Sequence, residues 1–376
     1  LLPSPTSDPR RILFLDSWLR ERSLGSGSAV AIAGLAAGLE SLGHSVATLR
    51  PERAYPSLDL TRLSYNLDLE RRLRALEEPD LVVGFDFDGG LLPPGLPASR
   101  YVVALKGVMA DEARFESGGE RRRFLRLARL EARNARSADL VICTSRYSGT
   151  QARRHYGIDE DRVRIVPEGI WSEEWAGLGE RALAERAARD RGPVLLSVAR
   201  QYRRKNTQSL LRAFASLRRT HSGAALRIVG EGPELPSLRS LAGQLGIEDV
   251  VSFVGSLDGM SSLQKEYARA DIFCLPSLQE GFGIVYLEAM AAGLPIVAAR
   301  AGAVPEVAPE EEVSLLVPPD DDQALAEALH RLAESPDRRR ELGMAGLRRW
   351  TEYDWTLVAN QFLAACFPAG EATIRP

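Results

Sequence analysis

Short apolar runs, each about the length of one buried strand, alternate with longer stretches of helical spacing along almost the whole chain. The strand candidates of the first half are Arg11–Asp16, His44–Leu49, Leu81–Phe85, Tyr101–Leu105, Leu140–Thr144 and Val163–Val166. Those of the second half are Val194–Val198, Ala225–Val229, Val250–Val254, Ile272–Leu275 and Pro295–Ala298. Strands alternating with helices in this way predict parallel sheets covered by helices. The rhythm breaks in the charged segment Trp171–Arg191 and restarts at Gly192-Pro193. The expectation is therefore an α/β chain of two doubly wound, Rossmann-like domains, residues 1–170 and 171–353. They would face each other across a deep cleft, with ligands outside the carboxyl ends of the strands.

Composition narrows the function classes. The 376 residues carry 48 basic and 51 acidic side chains, a net charge of −3, which gives no general case for a nucleic-acid partner. Three cysteines, Cys143, Cys274 and Cys366, form no C-x-x-C pair and read as reduced core thiols of a cytoplasmic protein. The polar, proline-rich start shows no secretory signal, and the longest apolar stretch, Ile284–Ala299, is interrupted by Glu288. Only Lys106, Lys205 and Lys265 are lysines; the remaining basic residues are arginine. Coding bias accounts for that skew, but it singles out the three lysines kept.

Three segments carry candidate chemistry. In Leu278-Gln-Glu-Gly-Phe-Gly-Ile-Val-Tyr-Leu-Glu288, a strand ends in a glycine loop that opens a helix. Gly281 and Gly283 admit a close ligand, and the helix start offers free N–H groups to a phosphate or sugar hydroxyls. Glu280 and Glu288 are near enough to address one ligand, since the helical rise from Gly283 to Glu288 is only ~7.5 Å. A carboxylate can accept from both hydroxyls of a ribose diol; the plainer reading is that both acids complement the helix dipole. In Val198-Ala-Arg200-Gln-Tyr-Arg-Arg-Lys205, two cations follow another strand and could clamp a diphosphate, or form a solvated basic loop. Gly230-Glu-Gly232 offers close backbone contact without a complete dinucleotide fingerprint. The Gly25-Ser26-Gly27 loop has room for a phosphate but no P-loop lysine.

Taken together, these segments resemble the retaining GT-B glycosyltransferases that use nucleotide sugars. The resemblance rests on Glu280-Gly-Phe-Gly…Glu288 (an E-x7-E arrangement), on Arg200 with Lys205, and on Gly230-Glu-Gly-Pro. Ala138–Ser145, Val166–Ile170, Gly302 with Pro305-Glu306 and Leu315–Pro319 support it, in the family's order over most of the chain. It implies that Glu288 holds the ribose hydroxyls and Glu280 contacts the donor sugar. The amides of Gly281, Phe282 and Gly283 would bond the sugar or diphosphate, with Gly230, Gly25 and Gly27 also on the donor. Arg200 and Lys205 would neutralise the leaving nucleoside diphosphate. The resemblance further implies no metal and no cofactor beyond the nucleotide sugar, a UDP-sugar being placed ahead of a GDP- or ADP-sugar. Helices around 354–376 would cross back onto the N-terminal domain. The acceptor would be a glycan, a lipid-linked species or a small molecule.

Two positions depart from the family. The loop after Tyr101–Leu105 often carries a histidine there; here it reads Lys106-Gly-Val-Met. Lys106 is accordingly a candidate for the reacting centre, alongside a purely structural role. Glu168 stands where the family frequently has asparagine. Residues 120–136 form a further candidate: seven arginines against two glutamates, with Phe124, Leu127 and Leu130 on one apolar face. Such a helix could touch anionic lipid, leaving the enzyme cytoplasmic and peripherally membrane-associated, or be a solvated face over a packed stripe. The predicted reaction is transfer of a hexosyl unit from a nucleotide diphosphate sugar to an acceptor hydroxyl with retention. The alternatives are a GT-B nucleotide-sugar epimerase, a phosphorylase-like enzyme, or a catalytically silent subunit binding a glycan or partner.

Overall fold

In the computed structural model, residues 9–18, 27–97, 99–188 and 191–368 are described. They form two compact units, one running to Gly169 and resuming at Trp355, the other comprising Ile170–Asp354. The first unit holds β1 (Arg11–Leu15), β2 (Ser45–Leu49), β3 (Leu81–Phe85), β4 (Arg100–Leu105), β5 (Leu140–Cys143) and β6 (Val163–Ile165). They are parallel throughout, in the order β2-β1-β3-β4-β5-β6. Central strand β3 is buried at every position, as expected for a strand covered on both faces.

One face of this sheet is covered by the helices Leu58–Arg74, Gly118–Ser137 and Arg146–Tyr156, whose Tyr65, Leu69, Ala128, Ala132 and Ala152 share one core with Val82 and Val103. The helix Gly27–Ser41 packs instead on the terminal helix Trp355–Cys366. That contact is made by small residues. A Cβ on Gly34 would sit inside the Trp355 indole, and one on Gly169 would lie 2.6 Å from the same ring. Trp355 is buried among these glycines.

The second unit holds β7 (Val194–Val198), β8 (Ala225–Val229), β9 (Val251–Gly255), β10 (Ile272–Leu275), β11 (Ile296–Ala299) and β12 (Ser314–Val317), also all parallel. Their order is β12-β11-β10-β7-β8-β9, so β7 and β10 are central neighbours and their carboxyl-terminal loops lie side by side. The helices Thr207–Thr220 and Asp322–Glu334 bury Leu210, Phe214, Leu325 and Leu329 against the sheet. β12 was not among the strand candidates. It has only four residues and follows the acidic run Glu310–Glu312, too little apolar sequence to stand out.

The helix Leu58–Arg74 also escaped the sequence pattern, because polar residues are buried beside its apolar ones and leucines are left outside. Thr61, Arg62 and Asn66 face inward, whereas Leu60, Leu63 and Leu67 are exposed. All three cysteines are free and buried. Burial pushes the Cys143 thiol up to about 12 and those of Cys274 and Cys366 higher still, so none is a reactive thiolate at neutral pH. Among the described residues no helix is long and apolar enough to cross a membrane.

Candidate functional site

In the second unit, β7 runs into Ala199-Arg200-Gln201-Tyr202 and then a single 3-10 turn, Arg203–Lys205. Asn206 takes a left-handed conformation (φ 54°), turning the chain into the helix Thr207–Thr220. This turn aims Lys205 at the neighbouring loop after β10, where its Nζ lies 2.6 Å from Glu280 Oε1. Ser277 Oγ donates to the same oxygen at 2.8 Å. Both charged side chains are largely buried (14% and 8% exposed), so their attraction is only weakly screened by water. Arg200, on the same β7 loop, is exposed, with its guanidinium 5.4 Å from the Tyr202 ring.

Glycines hold these loops together. A Cβ on Gly302 would collide with the Glu280 carbonyl, and Ala303 N donates to that carbonyl at 2.9 Å. Gly230 has φ 109°, and its vacant Cβ position is filled by the carbonyl of Ala199. The close approach that Gly230 permits is thus to the protein's own β7 loop, which it ties to the loop after β8 through Gln201 N donating to Glu231 O at 2.9 Å.

Gly283 (φ 88°) caps the helix Ile284–Ala291, preceded by Gly281 and Phe282. Phe282 itself is buried, its ring edge-on to Tyr353 at 6.0 Å, so its side chain anchors the loop. Glu288 lies further along the helix, half-buried, and accepts a 2.7 Å hydrogen bond from the Tyr267 hydroxyl. Tyr267 is fully buried, stacked on Phe273 and edge-on to Trp175. Burial, reinforced by the Glu288 carboxylate, raises its phenol far above the usual range, so it remains a hydrogen-bond donor. Sequence reasoning missed Tyr267: twenty-one residues separate it from Glu288.

A polar cavity of about 320 Å³ lies near this loop system, lined by residues including Tyr202, Asn206, Thr207, Glu234 and Leu278. Lys205, Glu280 and Glu288 do not line it.

In the first unit, Lys106 follows β4 and Glu168 follows β6. Lys106 Nζ donates to both carboxylate oxygens of Glu168 at 3.1 and 3.2 Å, with both side chains under 10% exposed. The Lys106 backbone N–H donates to Asp86 Oδ1 at 2.9 Å. Gly27 begins the helix Gly27–Ser41 with open space around it, while Gly25 lies outside the described residues.

A second polar cluster at the carboxyl ends of β1 and β3 was not foreseen. Asp88 is fully buried and accepts from Ser17 N (2.8 Å), Ser17 Oγ (2.6 Å) and Asn66 Nδ2 (3.0 Å). Arg62 lies 3.5 Å from Asp88, with its guanidinium between the rings of Phe87 (3.9 Å) and Trp18 (4.4 Å). Asp16 accepts from Trp18 N at 2.9 Å, and burial pushes its carboxyl up to about 6. The Phe85-Asp-Phe-Asp88 run at a strand end, with an arginine inside a helix, was the available signal. Among the described residues, no group of three or more His, Cys, Asp or Glu is placed to hold a metal ion.

Comparison with known proteins places both units. Residues 26–169 match the family described as glycosyl transferase 4-like domain, and residues 180–349 match glycosyl transferases group 1. A GDP-mannose-dependent alpha-(1-6)-phosphatidylinositol monomannoside mannosyltransferase of Mycolicibacterium smegmatis is 34% identical over 58% of this chain and 59% of its own length. An MMP alpha-(1->4)-mannosyltransferase of Mycolicibacterium hassiacum is 32% identical over 65% of this chain and 57% of that protein. Alignments thus span little more than half the length of these relatives. Among solved structures, sucrose-phosphate synthase from Thermosynechococcus elongatus superposes with a TM-score of 0.79 at 22% identity, covering 94% of this chain and 97% of that one. The fold is that of the GT-B enzymes.

Proposed function

This chain belongs to the glycosyltransferases, a 4-like domain preceding a group 1 domain, and we propose that it moves a hexosyl unit from a nucleotide diphosphate sugar to an acceptor hydroxyl with retention. The observation that carries this reading is the pairing of Lys205 with Glu280 beside the Gly283-capped helix that presents Glu288. Lys205 and Glu280 meet across the carboxyl-terminal loops of adjacent central strands, and the helix that follows carries Glu288, so a diphosphate and a ribose would each find a complementary group there.

In this reading the Glu288 carboxylate, oriented by Tyr267, accepts from the ribose hydroxyls. Glu280 accepts from a hydroxyl of the donor sugar while holding Lys205 in place, and the amides of Gly281, Phe282 and Gly283 bond the sugar or diphosphate. Lys205 and Arg200 stabilise the negative charge that grows on the departing diphosphate, so no metal is required for that role. The departing phosphate takes the acceptor proton as the new glycosidic bond forms on the face being vacated. Lys106 is proposed as the N-terminal unit's contribution to the transferred sugar or acceptor, with its ammonium neutralised by Glu168.

The first donor to test is GDP-mannose rather than the UDP-sugar expected from sequence, because the relatives named above are a GDP-mannose-dependent enzyme and another mannosyltransferase. In a thermal-shift screen of GDP-, UDP- and ADP-sugars, GDP-mannose should raise the melting temperature most, since it binds the native state alone. Glu288→Ala and Lys205→Ala should each lower transfer by well over about tenfold, the effect of losing one charge-assisted contact. Near-normal rates in both variants would sink the assignment. Product analysis with and without an acceptor separates transfer from epimerisation.

A further inference from the structure

The polar cavity of the second unit is lined by none of the residues assigned above to the donor. Three helices begin around it, Thr207–Thr220, Leu235–Gln244 and Asp322–Glu334, and Thr207, Glu234 and Asp322 at their starts form part of its wall. The loops that follow β7 and β12 complete that wall with Arg203 and Asp320. Its volume of about 320 Å³ stands at the lower end of the ~300–1,000 Å³ range of small-molecule pockets, which suits a single sugar ring better than a nucleotide sugar.

The chemistry of the wall selects its occupant. Two guanidinium groups, Arg203 and Arg212, supply donors, and three carboxylates, Glu234, Asp320 and Asp322, supply acceptors. A phosphate suits helix starts and arginines but would also meet three negative charges. A cation suits the carboxylates but would meet both guanidinium groups and the positive ends of three helices. A neutral polyol satisfies both sets, because each of its hydroxyls can donate to a carboxylate and accept from an N–H. Leu238 and Leu278 add apolar surface for the C–H face of a ring. Two of the charges are also unpaired: among the described residues the side chains of Arg203 and Asp320 form no hydrogen bond or ion pair, whereas Arg212 takes Asp322 at 3.3 Å and Gln208 takes Glu234 at 3.4 Å. Asn206 and Asp320, both on this wall, have φ of 54° and 62°, two of the four left-handed non-glycine residues among those described. Backbone held in that region gathers at binding sites.

We propose that this cavity is a second carbohydrate site, which takes one neutral sugar ring with Asp320 accepting from its hydroxyls and Arg203 donating to them. The site lies against the turn Arg203–Lys205, whose first residue lines the cavity and whose last pairs with Glu280. One turn thus serves two places, and the cavity's chemistry is independent of which nucleotide sugar is the donor.

Saturation-transfer NMR titration of the full chain with the methyl α-glycosides of mannose, glucose and galactose tests it, with inorganic phosphate as competitor. At least one glycoside should bind with a Kd on the order of 1 mM or tighter, and phosphate should not displace it. Arg203→Ala and Asp320→Gly should each weaken that binding by about tenfold or more, the effect of losing one charge-assisted contact. Both side chains are exposed and glycine accepts the left-handed backbone at position 320, so both variants should keep the wild-type melting temperature. A variant that melts lower is replaced by Arg203→Gln or Asp320→Asn. A nucleotide sugar that stabilises the wild type should stabilise both variants equally. The proposal is overturned if no glycoside binds, or if both variants bind it as the wild type does. Displacement by phosphate would make the cavity an anion site instead, and variants that lose glycoside and nucleotide sugar together would assign it to the donor.

Discussion

Lys106 Nζ sits between the two carboxylate oxygens of Glu168, at 3.1 and 3.2 Å, sixty-two residues away in the chain. The two departures from the family pattern are thus one buried ion pair, each charge offsetting the other. Removing a single partner strands the other in a low-dielectric site, so Glu168→Gln and Lys106→Met should each destabilise the fold by roughly 3–5 kcal/mol. The double variant should be nearer to wild type than either single one. Urea unfolding of the four proteins measures this directly, and additive losses would contradict it.

Tyr267 bonds Glu288 at 2.7 Å from a fully buried ring. Tyr267→Phe keeps the stacking on Phe273 and removes that bond, worth about 1–3 kcal/mol for a charged acceptor, together with a longer 3.4 Å contact to the Val285 carbonyl. The expected outcome is a donor KM raised about fivefold or more with kcat little changed. In a Glu288→Ala background the same change should have almost no further effect on KM. A kcat loss of equal size in both backgrounds would assign Tyr267 to packing alone.

The raised pKa of Asp16 carries a pH signature. Burial is the main cause of the rise to about 6, so the folded state holds the proton more tightly than the unfolded chain does. Stability from this group is fully present below the unfolded value near 4 and is lost as pH rises through about 6. Asp16→Asn should therefore stabilise the protein at pH 7, by on the order of 2–3 kcal/mol, and flatten the decline between pH 4 and 6. Melting temperatures across that window distinguish this from a variant that simply loses the bond to Trp18.

The Trp355 indole fills space that Gly34 and Gly169 leave empty. Gly34→Val should prevent the indole from seating and destabilise by several kcal/mol, and Trp355→Ala should cost about 3–5 kcal/mol through the cavity it opens. Calorimetry of both variants checks this; an unchanged melting temperature in Gly34→Val would show that the terminal helix can shift aside.

Much of the fold was readable in one dimension. β3, β7, β8 and β10 carry the bounds expected of them, because a strand covered on both faces must be apolar at consecutive positions. The helix Leu58–Arg74 was not readable. Its inward face mixes Tyr65, Leu69 and Leu73 with the Arg62 and Asn66 that serve the Asp88 cluster, and three leucines point outward, so the usual correlation between polarity and exposure is blurred. The Phe85–Asp88 cluster was equally opaque, since nothing local says that an arginine in a distant helix will lie between Phe87 and Trp18.

The sequence by itself determined two parallel α/β sheets and the order of loops that carry Arg200, Lys205, Glu280 and Glu288. Those follow from short-range apolar periodicity and from residues adjacent in the chain. Only the tertiary structure decided the partners: Lys205 with Glu280, Lys106 with Glu168, Tyr267 with Glu288. Strand order sets which loops become neighbours, and a buried charge or hydroxyl must then find its partner across whatever distance in sequence the topology has closed.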